Sequence, residues 1–145
     1  MNELSLIQGA VSLALEINLR RQEAAASVRH AISPKIWIYE FATVHVRLGR
    51  GAGHTSAIKH FVRENDLIIC GVKSQKQLFW RTDNSPVPKI KVATTLDFEF
   101  EPDRFRGLTF DRIWVDDASN LSESELVLIY DLALRRKVSQ IVMLG

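Results

Sequence analysis

The sequence predicts an α/β domain whose mostly parallel sheet lies between layers of helix. Two observations carry that expectation. From about residue 36 onward, short apolar runs alternate with helical patterns. Some of those runs, such as Leu67 to Val72, are apolar throughout rather than at every second position. Continuous apolar strands are those covered on both faces. The composition agrees: 145 residues, 46% of them hydrophobic and 25% charged, suit one domain with one core.

The elements follow in order. Leu4, Ile7, Val11, Ala14, Leu15 and Leu19 recur mostly at three- and four-residue spacing, which makes one helical stripe. Arg20 to Glu23 form a polar break, and Ala24 to Ile32 reads as a second helical piece. Ser33-Pro34 ends it, because the residue before proline avoids the α region. Residues 1–34 are therefore expected as a helical N-terminal extension, and 35–145 as the core domain. Trp37, Tyr39 and Phe41, then Val44 and Val46, are β-favouring residues at alternate positions and predict a strand. Thr55 to Glu64 predicts a helix with Ala57, Ile58, Phe61 and Val62 on one face. Leu67 to Val72 is a strand, Ser74 to Trp80 a helical turn or short helix, and Asn84 to Pro88 a loop. Ile90 to Thr95 is the next strand, with Phe98 to Phe100 as a candidate extension. A charged loop from Glu101 to Gly107 leads to a strand over Asp111 to Val115. Ser122 to Arg135 predicts a helix, for which Ser122 and Glu125 have the spacing of a capping box. Gln140 to Leu144 is the last strand.

Charge and cysteine usage narrow the function. Nineteen Lys and Arg against 17 Asp and Glu leave a formal +2, which excludes a strongly basic nucleic-acid-coating protein but not a local basic patch. The single cysteine, Cys70, excludes an internal disulfide and any multi-cysteine zinc site, and its apolar neighbours predict a buried small hydrophobe. His30, His45 and His60 have no metal-ligand spacing. No apolar stretch approaches the ~20 residues of a membrane span, and the N-terminus lacks a signal-peptide layout. The expectation is a cytoplasmic protein without a membrane partner.

Two motifs carry chemistry. Arg47-Leu-Gly-Arg-Gly-Ala-Gly-His-Thr-Ser56 stands between a predicted strand and a predicted helix. That is the setting of a phosphate-binding loop, where glycines turn successive N–H groups inward and the helix adds free amides. Gly49, Arg50, Gly51, Ala52, Gly53, His54, Thr55 and Ser56 are its candidate nucleotide-binding residues. Gly53-His54-Thr55 takes the place of the usual Gly-Lys-Thr ending, and Leu48 takes that of the first glycine. The ammonium that normally holds the β- and γ-phosphates is thus missing. Histidine is shorter and mostly neutral at pH 7, so Arg50 becomes the candidate replacement. The second motif is Ile113-Trp-Val-Asp-Asp117, an apolar strand that runs into two carboxylates. In a Walker B arrangement Asp116 would join Thr55 in holding Mg²⁺, and Asp117 would orient or deprotonate the attacking water. The two motifs occur in the order that one nucleotide site needs. They refine the expected architecture to a three-layer P-loop NTPase fold.

The run Phe105-Arg-Gly-Leu-Thr-Phe-Asp-Arg-Ile-Trp-Val-Asp-Asp-Ala-Ser119 resembles the approach to Walker B in phage large terminases, the ATPase motors that package viral DNA. Arg47 to Thr55 is similar to their deviant Walker A loops, with Arg50 where those loops carry an arginine. Ile141 to Gly145 resembles the strand that leads into their coupling motif. The resemblance spans roughly residues 40–145. It implies the additional-strand P-loop core, with Gln140 to Leu144 between the Walker A and Walker B strands. It also implies ATP, Mg²⁺, double-stranded DNA, and assembly as a homo-oligomer with viral packaging proteins in the host cytoplasm. The chain departs from the family at His54, where lysine is usual, and at Asp117, where glutamate is usual. Its end at a strand suggests a fragment.

Two function classes follow. One is a terminase-like ATPase, with Asp117 and Arg50 catalytic, Thr55 and Asp116 on the metal, and the loop on ATP. The other is a degenerate P-loop module with little or no turnover, acting as a structural or regulatory binding protein. Arg106, the triplet Arg135-Arg136-Lys137, and the mixed segment of Lys73, Lys76, Phe79, Trp80 and Arg81 are further candidates for phosphate or base contacts. For the triplet, a solvated helix end favoured by the dipole is the more common reading.

Overall fold

The computed structural model describes residues 3–49, 53–71, 91–95, 97 and 107–145. Arg50, Gly51, Ala52 and Arg106 lie outside the described residues, as do the expected elements over 74–80, 84–88 and 98–100 and all but Gly107 of the charged loop. The aromatic and basic segment from Lys73 to Arg81 lies outside them too.

The described chain is an α/β fold around a five-stranded parallel sheet. The strands are β1 (Thr43–Val46), β2 (Leu67–Cys70), β3 (Lys91–Thr94), β4 (Arg112–Asp116) and β5 (Gln140–Leu144). Their spatial order is β1-β5-β4-β2-β3. The last strand in sequence therefore inserts between β1 and β4, the position expected for it. Helices α1 (Glu3–Ala24) and α3 (His54–Phe61) cover one face, and α4 (Glu123–Arg135) covers the other.

Alternation along the strands feeds both layers. Ile68, Cys70, Trp114, Val142 and Leu144 pack under α1 and α3, while Leu67, Ile69, Ile113, Val115, Ile141 and Met143 pack under α4. Every residue of β2 and β5 is buried, which is why these strands read as continuous apolar runs. The crossover through α3 leads from β1 towards β2, and the crossover through α4 leads back from β4 to β5 on the opposite face. Opposite directions on opposite faces give both crossovers the same hand, as parallel connections require.

Three local expectations are corrected. Residues 37–41 are not strand: α2 (Pro34–Ile36) continues as a π-turn over Trp37–Phe41, and β1 begins at Thr43. The Ser33 hydroxyl accepts from the Ile36 amide and Pro34 sits in the first turn, so the segment starts as a helix. Trp37 and Phe41 then stack four residues apart at 4.8 Å, and Tyr39 stacks on Tyr130 at 4.4 Å. Those contacts outweigh the β preference of single aromatics. The second correction is at Arg20 to Glu23, which do not break α1: Arg20 pairs with Glu16 one turn back at 2.7 Å, and the helix runs on to Ala24. The third is the piece after it, a 3-10 turn over Ala26–Ala31 with no buried residue. The capping box at Ser122 and Glu125 is formed as read.

The segment expected as an extension contributes Ile7, Val11 and Leu15 to the same core as the sheet. A buried polar network docks it. Gln140 of β5 is fully buried, and its amide donates to Asn18 Oδ1 at 3.0 Å and to the Leu15 carbonyl at 3.4 Å. Its Oε1 accepts from Arg112 Nε at 3.0 Å, while Asn18 donates to the Phe41 carbonyl at 2.8 Å. One side chain thus joins α1, β4 and β5. Replacing it with leucine removes these bonds from half-buried Arg112, from buried Asn18, which keeps Gln22, and from the Leu15 carbonyl, at a cost of about 1–3 kcal/mol. We expect Gln140→Leu to lower the urea midpoint accordingly without changing the far-ultraviolet spectrum; an unchanged midpoint would show that the network contributes nothing.

Candidate functional site

Ligands of parallel α/β sheets bind beyond the carboxyl ends of the strands. At that edge the chain forms a cleft of about 550 Å³ between the loop after β1, the start of α3, and the ends of β4 and β5. The sequence expectation for the described residues converges there: Gly49, Gly53, His54, Thr55, Ser56, Asp116 and Asp117 all line it. Arg47, Ser119, Asn120 and Gly145 line it as well and were not singled out from the sequence.

The glycines have a backbone reason. Gly49 has φ +86° and Gly53, the residue that starts α3, has φ +88°. Side chains rarely adopt that region. Gly53 delivers its carbonyl to the Ala57 amide at 2.9 Å and begins the helix without a side-chain cap. The first amides of α3 therefore have no partner within the helix and face the cleft at the positive end of its dipole. His54 does not take the place of a lysine reaching outward. Its Nε2 accepts from the Leu48 amide in a long bond of 3.5 Å, which turns the ring back on its own loop.

The acidic side is built from the end of β4. Asp116 is 4% exposed, and its Oδ2 accepts from the Thr55 hydroxyl at 2.8 Å. This bond joins the glycine-loop helix to the acidic strand across 61 positions of sequence. Burial pushes the Asp116 carboxyl above the usual carboxylate range, and the Thr55 hydrogen bond only partly offsets that. Asp117 turns into the left-handed region at φ +59°, and its carboxylate accepts from the Asn120 amide at 2.7 Å. It thus stands at the cleft wall with one oxygen already engaged.

Gly145 closes the floor. Its amide donates to the Val46 carbonyl at 3.0 Å and its carbonyl accepts from Ser119 at 2.9 Å, so β1, β5 and the turn after β4 meet at one residue. Its φ is +103°, and a Cβ there would stand 3.2 Å from Asp117 Cα. A glycine at the end of an apolar strand was the available sequence signal for this position. For Arg47 the signal was a cation directly after the last strand residue.

No family model and no curated protein matches this chain.

Among the described residues no three His, Cys, Asp or Glu side chains gather as a metal cage. Thr55 and Asp116 form one hard-oxygen pair in the cleft, which Ser56, Asp117 and Ser119 also line. No helix among them is long and apolar enough to cross a membrane.

Asp116 also yields a pH prediction. In the unfolded chain its carboxyl titrates near 3.8, and in the folded chain it holds its proton to higher pH. Its contribution to stability is full below 3.8 and is lost as pH rises through the folded-state value. Asp116→Asn removes that loss and keeps an acceptor for Thr55. The variant should melt a few degrees above the parent at pH 7, with the gap closing as pH falls towards 3.8. A gap that persists in acid would place the effect elsewhere.

Proposed function

We propose that this cleft binds ATP with Mg²⁺ and that the chain is the core of a terminase-like ATPase acting on double-stranded DNA. The carrying observation is the 2.8 Å bond between Thr55 and Asp116, which unites the glycine-loop helix with the acidic strand end. Supporting it is the strand order, in which β5 separates β1 from β4.

Each residue then has a task. The amides at the start of α3, with Gly53 beneath them, hold phosphate oxygens. The Thr55 hydroxyl and an Asp116 oxygen fit Mg²⁺ by chemistry, since both are hard oxygen donors and a cation relieves the cost of burying the carboxylate. Bound Mg²⁺ neutralises charge on the β- and γ-phosphates. Arg47 lines the cleft and supplies a cation that His54 does not. Arg50 is the further cation that the sequence offers. Asp117 positions water, steadied by Asn120. DNA, a homo-oligomer and viral packaging proteins are the partners this reading implies.

A second reading has its own support. The Asp117 carboxylate is engaged by Asn120, and the His54 ring by Leu48. Both favour a module that holds nucleotide and turns it over slowly or not at all.

Calorimetric titration with Mg-ATP separates these readings. Binding in the micromolar range should weaken about tenfold or more in Thr55→Ala and in Arg47→Ala. Phosphate release that DNA stimulates and Asp117→Asn abolishes supports the ATPase; binding without release supports the second reading. No heat at millimolar Mg-ATP sinks both.

A further inference from the structure

The opposite end of the sheet carries a second cavity, of about 470 Å³. It opens beside the residues that precede β1 and β5, so the strands separate it from the cleft described above. Its base is apolar, with Trp37, Ile38 and Val138 buried. Its mouth carries Arg29, His30 and Lys137, all exposed, and no carboxylate lines it among the described residues.

One of these cations is held in place. The Arg29 guanidinium lies 4.5 Å from the centroid of the Trp37 ring. Stacking engages the flat face of a guanidinium and leaves its N–H edge for an anion. The ion pair found among the described residues is Arg20 with Glu16, so Arg29 has no carboxylate partner there. Lys137 stands just past the end of α4 with φ +56°. That left-handed position at a helix end is one glycine fills without strain. The Lys137 side chain is exposed and lines the cavity. The adjacent Arg136 has its Nε buried with no hydrogen-bond partner among the described residues.

We propose that this cavity binds a small phosphate monoester, its phosphate held by Arg29 and Lys137 and its apolar body seated on Ile32, Pro34 and Leu134, the apolar lining residues that are not buried. A dianionic phosphate suits a stacked guanidinium fork and an ammonium that face it without a competing acid. The volume suits a small ligand. The site is independent of the nucleotide reading and uses none of its residues.

The test is a titration of the ¹⁵N-labelled full chain with phenyl phosphate, read at the indole N–H of Trp37, whose signal Trp37→Phe identifies. The shift should saturate with a dissociation constant of about a millimolar or below. Arg29→Gln and Lys137→Gly should each weaken binding about tenfold. Thr55→Ala, at the other end of the sheet, should leave it unchanged. Lys137→Gly should also raise the melting temperature, because it relieves the backbone strain. Weaker binding in a more stable protein cannot be ascribed to damage, so this variant decides the matter even if Arg29→Gln fails to fold. The proposal falls if no saturable shift is seen by about 10 mM, if Lys137→Gly binds like the parent, if inorganic phosphate binds as tightly as the phenyl ester, or if Thr55→Ala abolishes the shift.

Discussion

The structure depends on one strand being inside another pair. Neighbouring strands lie about 4.8 Å apart, so β5 holds the ends of β1 and β4 about 10 Å from each other. A glycine loop and an acidic strand end at that distance cannot close on one another. The gap is spanned instead by the start of α3, whose Thr55 reaches Asp116. What remains is a cleft with amides on one wall and carboxylates on the other. Because β5 ends at its centre, the residue there must be nearly nothing, and Gly145 is.

The cleft keeps a cost in the folded chain. Asp116 is buried, and the hydrogen bonds from the Thr55 hydroxyl and the Asp117 backbone only partly offset the loss of water around its carboxylate. Other buried polar groups in the core are also paired. Gln140 uses both ends of its amide, and Asp66 accepts from the Arg63 amide at 3.0 Å and from the Trp114 indole at 2.9 Å. Those networks dock α1 and join β4 to its neighbours, and Asp116 stands at the end of that strand.

The two ends of the sheet carry opposite chemistry. At the carboxyl ends two aspartates face the free amides of α3. At the amino ends Arg29 and Lys137 stand over an apolar floor without an acid among the described lining residues. The near-neutral net charge of +2 conceals this separation, since composition sums over the surface and a binding site does not.

The α/β class, the five described strands and seven of the cleft's lining residues were legible in the sequence, because burial on both faces leaves continuous apolar runs and glycine marks forced turns. Gly53, Thr55, Asp116 and Asp117 announced themselves by residue type and by their place at element ends. The helical state of Trp37 to Phe41 was not legible, because stacking between Trp37 and Phe41 and between Tyr39 and Tyr130 decides it, and Tyr130 is distant in sequence. Nor was the turning of His54 towards Leu48, or the role of Gly145 beneath Asp117. Local patterning therefore determined which segments become strand or helix and which residues reach the strand ends. Only the tertiary structure decided strand order and the partner of each polar group, because those follow from contacts between residues that the chain itself keeps far apart.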